Sequence, residues 1–267
     1  MFSETYPVKI LHTVRPSRPA WPRLVLALWV QAFVLPGETR FHHVHLNAAD
    51  PAAATEFFAK RFPSDAIRVA KREEVKPGPT ALWHLGWGAA DFRAGYMRLL
   101  DLGTRFSHPA EQLLPGLFYA YAVGPEGLSV ELNSSMRDGF GHVHLDSAHP
   151  VVAGEWYQRL GLQPTRPLEE KPVVLGRYTL SSAAYLDAGG VALLIFPKPD
   201  EVGDLVSSEG TVVDHLAFQV DDLDRKLSDL RRSGTRILQM PSELSPGTRA
   251  AVVQGPDRMR VELVEVK

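Results

Sequence analysis

The stretch FHHVHLNAADP (residues 41–51) returns 99 residues later as FGHVHLDSAHP (residues 140–150). Each copy alternates His-Val-His-Leu, the two-residue period of a β-strand, so His43 and His45 share one face, as do His142 and His144. Each copy then reaches a proline, Pro51 or Pro150, where the pattern turns helical. Proline at the first helical position loses no hydrogen bond and presets the backbone angle. Between residues 43–56 and 142–155, eight of fourteen positions are identical.

A longer repeat lies between these copies. Residues 84–131 align without a gap on residues 215–262, and fifteen of the 48 positions are identical, against about three expected by chance at ordinary amino-acid usage. The shared positions include the opening histidine, an aspartate, a Gly-Thr-Arg run, Pro-Gly, Gly-Pro and a closing Val-Glu. The chain is therefore a series of four related units, opening near His43, His84, His142 and His215 and ordered A, B, A′, B′. Asp50, Asp91 and Asp222 stand seven residues after three of these histidines, and His149 after the fourth.

That rhythm predicts secondary structure. HHVHL, LWHLGW, GHVHL and DHLAFQV read as strands. Each leads into a helix opened by an aspartate cap or a proline, and Gly103, Gly161 and Gly234 close three of the four helices. Strands follow at LFYAYAV, LSVELN, VALLIFP, AAVVQ and RVELVEV, with LDAGGVALL as a hairpin turn. The expected class is α+β, with tandem βαβββ-type modules forming two cup-shaped half-barrel sheets. The first module is shortened: His142 and His215 are 73 positions apart, His43 and His84 only 41. Residues 63–81 leave room for one strand and a polar, proline-rich link. The expected division is an extension over residues 1–40, a first paired-module domain over 41–137 and a second over 138–267.

Bulk properties narrow the function. The chain has 267 residues, is 45% hydrophobic and 22% charged, and carries 29 basic against 31 acidic residues. That balance gives no footprint for nucleic acid. There is no cysteine, so disulfides, thiolate metal sites and cysteine nucleophiles are excluded, and any metal must rest on His, Asp or Glu. Near the start, Arg15, Arg18 and Arg23 precede the largely apolar LVLALWVQAFVL (residues 24–35). This is too short to span a bilayer but matches the core of an export signal, pointing to a periplasmic or secreted protein; otherwise the protein is cytoplasmic and the stretch packs on the domain. The cleavage region lacks a clean small-residue pair.

The order of units, the histidine-opened strands and the endings GPEGLSVE and GPDRMRVE resemble the vicinal oxygen chelate superfamily, which includes glyoxalase I, bleomycin-resistance proteins and type I extradiol dioxygenases. The endings are similar to the Pro-x-Gly-x-x-x-Glu run that carries the carboxylate ligand in those dioxygenases. Pro125, Gly127 and Glu131 keep it; Pro256 and Glu262 keep it with Arg258 in place of glycine. The resemblance implies metal ligands His43, His84 and Glu131 in one half and His142, His215 and Glu262 in the other. Two imidazoles and a carboxylate leave open positions on an octahedral ion, which suits Fe(II) first, with Mn(II) or Zn(II) as alternatives.

His45 and His144 are expected to face the substrate, support a ligand or fill the cup. Tyr121 matches a tyrosine that extradiol dioxygenases place before the Gly-Pro turn; the second half has Val252 there. The acid–base histidine of those enzymes has no match in its expected window, and His108 lies nearby. The partner expected is a small molecule chelating through adjacent oxygens; the sequence sets no oligomeric state. Lyase-like chemistry through an enediolate and dioxygenase chemistry are both compatible with such a site. The alternative is a metal-free small-molecule binding or resistance protein using the same cup, walled by Trp83, Trp87, Tyr119 and Tyr121.

Overall fold

The computed structural model describes residues 39–134 and 137–267. The stretch read as an export signal lies outside the described residues. In chain order the elements are β1 (Arg40–Ala48), α1 (Pro51–Arg61), β2 (Ile67–Lys71), β3 (Leu82–Gly88), α2 (Phe92–Asp101), β4 (Phe106–Leu114), β5 (Leu117–Val123), β6 (Ser129–Asn133) and β7 (Gly139–Ser147). They continue with α3 (Pro150–Leu160), β8 (Gln163–Pro164), β9 (Val173–Leu175), β10 (Tyr178–Leu180), β11 (Ala184–Asp187), β12 (Ala192–Pro197), β13 (Val213–Gln219), α4 (Leu223–Arg232), β14 (Ile237–Ser245), β15 (Thr248–Gln254) and β16 (Arg260–Val266).

The helices begin where the cap pattern placed them. Asp50, Asp91 and Asp222 accept hydrogen bonds from the backbone N–H groups of Ala53, Ala94 and Arg225, at 3.0, 2.9 and 2.9 Å. Each bond satisfies a donor that a helix start would otherwise leave unpaired. Gly103, Gly161 and Gly234 all take positive φ at the helix ends, a conformation that costs glycine little.

The strands form two large sheets, as the repeat implies. One has the order β14-β15-β16-β13-β1-β2, the other β4-β5-β6-β3-β7-β12-β11-β8, and β9 and β10 form a separate hairpin. The short first module supplies only β1 and β2 to the six-stranded sheet, while its counterpart supplies β7, β12, β11 and β8 to the eight-stranded one.

The pairing of units corrects the expected division into 41–137 and 138–267. Strand β1, from unit A, pairs with β13, from unit B′; β3, from unit B, pairs with β7, from unit A′. Each sheet thus takes strands from both halves of the chain, the six-stranded one from its two ends and the eight-stranded one from its middle. The helices do follow the halves. Arg98 of α2 donates to the carbonyls of Lys60 and Arg61 at the end of α1, and Lys226 of α4 donates to that of Leu160 at the end of α3. Carboxylates tie the sheets together: Glu126 accepts from the Ala49 N–H at 2.9 Å, and Asp257 from the Ala148 N–H at 3.2 Å. Glu126 and Asp257 hold these positions with φ of 53° and 51°.

One continuous core lies behind both sheets. It joins Val44 and Leu46 of β1, Leu85 of β3, Val143 and Leu145 of β7 and Leu216 and Phe218 of β13 to residues of all four helices. Phe41, Phe140 and Trp87 bridge the sheets, with ring centroids 5.4 Å and 4.9 Å apart along the chain of contacts. Strand alternation then leaves His43, His45, His84, His142, His144 and His215 on the opposite faces, the inner faces of the two cups.

Candidate metal centre

On the eight-stranded sheet, β3 lies between β6 and β7. Gly86 of β3 is opposite Glu131 on one side and His142 on the other, and His84 is opposite His144. Glu131, His84 and His142 therefore emerge from three adjacent strands onto one face. The His84 Nε2 atom is 2.7 Å from Glu131 Oε2 and 3.1 Å from His142 Nε2, and His142 Nε2 is 3.5 Å from the same carboxylate oxygen. At bond lengths of about 2.1 Å, neighbouring ligands on an octahedral ion are about 3.0 Å apart and those on a tetrahedral ion about 3.4 Å. The three donors outline a triangle the size of one face of a coordination polyhedron, so their positions fit a divalent cation.

Electrostatics favour the ligating protonation states. Burial alone would raise the Glu131 carboxyl, but His142 and His84 outweigh it and hold the group well below the usual carboxylate range. Burial lowers His84 despite the opposing pull of Glu131, leaving a neutral imidazole.

The wall is aromatic. His144 is buried, with ring centroids 4.5 Å from Trp83, 4.7 Å from His84 and 4.2 Å from Phe196, and its Nε2 has no hydrogen-bond partner. The Tyr121 ring is 5.1 Å from that of His84, and burial, then Glu131, pushes its hydroxyl well above the usual tyrosine range. Tyr121 is therefore a neutral hydroxyl beside the three donors. His108 stacks on Tyr119 at 5.2 Å and shares a 2.7 Å hydrogen bond with Glu111. The β9–β10 hairpin closes over this side. Arg177 in its turn pairs with Glu111, and Gly176 sits so close to β4 that a Cβ there would be 2.6 Å from the Leu113 carbonyl oxygen. The hairpin leaves the sheet from the β8–β11 edge and docks on β4 at the opposite edge.

The six-stranded sheet repeats the plan with other neighbours. Ala217 of β13 is opposite both His43 and Glu262, and His45 is opposite His215. The His43 and His215 Nε2 atoms are each 3.6 Å from Glu262 Oε2. His45 stacks on His215 at 4.6 Å. His42 Nδ1 is 2.8 Å from His43 Nδ1, and Asp214 holds His215 Nδ1 at 2.8 Å. Burial, then Arg68, lowers His43 to about 2. Burial opposes protonation of His215 too, but its hydrogen bonds to Asp214 and Glu262 prevail and raise it. Ligand atoms of His43, His45 and His215 lie within 4.8 Å of one another, as do those of His84, His142 and His144.

The six residues expected as ligands thus converge in two trios, but not in the expected grouping. His43 shares a sheet with His215 and Glu262; His84 and Glu131 share the other with His142. The regrouping unites the complete wall of unit A′ with the aromatic inner shell of unit B, two features that the halves-based reading kept apart. Sequence reading missed Asp214, Asn133 and the β9–β10 hairpin. Asp214 directly precedes His215, and Asn133 stands two positions past Glu131 on the same strand face, so both had a local signal. The hairpin had none.

Residues 139–263 match the model of the Glyoxalase/Bleomycin resistance protein/Dioxygenase superfamily. That match spans 125 of the 267 residues, a little under half of the chain. The likeness in fold extends to the rest. Glyoxalase I from Zea mays aligns with a TM-score of 0.66 at 16% identity, covering 85% of this chain and 92% of that one. A putative dioxygenase from Bacillus subtilis subsp. subtilis str. 168 aligns with a TM-score of 0.62 at 13% identity, covering 86% of each chain. No curated protein matches the chain in sequence. No helix among the described residues is long and apolar enough to cross a membrane.

Proposed function

We propose that the protein is a metal-dependent enzyme of the superfamily, acting at the centre on the eight-stranded sheet. His84, His142 and Glu131 hold a divalent cation, Fe(II) by preference, with Mn(II) or Zn(II) as alternatives. The convergence of these three donors within 2.7–3.5 Å on adjacent strands carries the reading. A bound ion of this kind supplies Lewis acidity, and Fe(II) adds oxygen chemistry. The substrate is a small molecule presenting two adjacent oxygens. Trp83, Phe196 and Tyr119 exclude water around it, and the neutral Tyr121 hydroxyl donates a hydrogen bond to one of its oxygens. His144, buried and unpaired at Nε2, faces the same space and is placed to exchange a proton with substrate.

The test begins with metal analysis of protein purified without chelator and reloaded with Fe(II), Mn(II) or Zn(II). About one tightly held equivalent is expected, lost in Glu131→Gln. Less than about 0.2 equivalents after loading, with unchanged melting, ends the reading. Oxygen uptake by Fe(II)-loaded protein with a catechol panel separates dioxygenase from lyase-like chemistry. The aromatic wall also favours a second reading, a metal-free binding protein. It predicts that His84→Ala retains ligand affinity, whereas the enzyme loses its activity with that change.

A further inference from the structure

The two centres share a plan but differ in the residue beneath one imidazole. On the eight-stranded sheet, that residue is Gly86, between Glu131 and His142. The His142 ring occupies the volume a side chain would fill: a Cβ on Gly86 would be 1.9 Å from His142 Cε1 and 2.3 Å from both ring nitrogens. The Asn133 amide stands 3.5 Å from His142 Nδ1. On the six-stranded sheet the corresponding residues are Ala217 and Val264, which with Ala250 form a small apolar cluster. Ala217 lies between Glu262 and His43, so its methyl group takes the seat that His142 occupies on the other sheet. The two imidazoles stand further apart there: the His43 and His215 rings are 5.8 Å apart, against 5.3 Å for His84 and His142. Both Nε2 contacts to Glu262 are 3.6 Å, against 2.7 Å from His84 and 3.5 Å from His142 to Glu131.

We propose that the Gly86/Ala217 difference selects which centre holds the cation. Gly86 is a positioning residue that lets His142 settle onto β3 and close the donor triangle, while the Ala217 methyl keeps His43 from doing so. This rests on the metal-binding reading above and adds a cause for the asymmetry between the centres. It also opposes a natural alternative. Asp214 orients His215, as outer carboxylates commonly orient metal-binding histidines, whereas His84 Nδ1 has no partner. If ligand orientation governed affinity, the six-stranded sheet would carry the tighter site.

Each centre is read alone by removing the carboxylate of the other, with Co(II) as the probe. Affinity comes from equilibrium dialysis and coordination from the visible d–d bands; melting of the metal-free proteins checks the fold. In Glu262→Gln protein, adding Gly86→Ala weakens Co(II) binding by at least about 10-fold and changes the bands, an effect within the range of supporting-residue changes. In Glu131→Gln protein, adding Ala217→Gly tightens binding by a similar factor, a gain that loss of packing cannot produce. Unchanged affinity in either arm overturns the inference, as does tighter binding by Glu131→Gln protein than by Glu262→Gln protein. If Gly86→Ala prevents folding, the Ala217→Gly arm decides alone. Absence of Co(II) binding by the unaltered protein refutes the metal-binding reading itself, and the inference with it.

Discussion

At His149 the chain breaks its own rule. The other three helices open on an aspartate that accepts a backbone N–H, whereas His149 precedes Pro150 with no side-chain cap. Asp50 coexists with a carboxylate clamp from Glu126 on Ala49, and the corresponding clamp from Asp257 on Ala148 surrounds His149. A carboxylate is therefore sterically at home there. His149→Asp is expected to add about 1 kcal/mol through the missing cap and its interaction with the helix dipole. A rise in melting temperature of about 2–4 °C would register this; a fall would mean that repulsion from Asp146 and Asp257 outweighs the cap. The caps were legible because an aspartate before a helix acts on atoms three residues away. The role of Gly86 was not, because a strand glycine carries no mark of what will lie on it. Only the register of β3 against β7 brings His142 there.

Elements separate along the same line. Strands buried in the sheets were readable from their apolar runs, including β5, β6, β12 and β16. The edge strands β4 and β14 were not. Each is mostly exposed, contains a proline (Pro109, Pro241) and pairs through several register shifts, so neither alternation nor β-propensity marks it. The β9–β10 hairpin is similar: six paired residues, held in place by a distant strand. Arg177 makes that attachment, pairing with Glu111 and donating at 3.4 Å to the Tyr119 hydroxyl. Arg177, then His108, hold the Glu111 carboxyl at about 2, so the latch stays charged throughout the neutral range. Arg177→Ala should loosen the hairpin without unfolding the sheets. Amide exchange over residues 173–180 is expected to accelerate about 5-fold, the equivalent of about 1 kcal/mol, while the helices keep their protection. Uniform acceleration across the chain would show that Arg177 supports global stability instead.

For the whole molecule, the repeat established four units and two sheets, but not which units share a sheet. Pairing within a half and pairing across the halves give the same local pattern, since each strand sees only a matching partner. What distinguishes them is the fit of the parts. Unit A′ has a full wall and unit B an aromatic inner shell, and the fold joins these two in one cup. The exchange has a consequence for folding. Neither residues 39–137 nor residues 138–267 contain both central strands of any sheet: β1 needs β13, and β3 needs β7. Produced alone, each half would leave the edges of its central strands unpaired and much of the common core exposed. Each is expected to be unfolded or to pair its two units with those of a second copy as a homodimer, and mixing the halves should restore native circular dichroism in a one-to-one complex. Sedimentation of each half settles the point. A folded monomer from either would mean that the two units of one half can close a sheet between themselves, and the pairing across the halves of β1 with β13 and of β3 with β7 would not be needed for the fold.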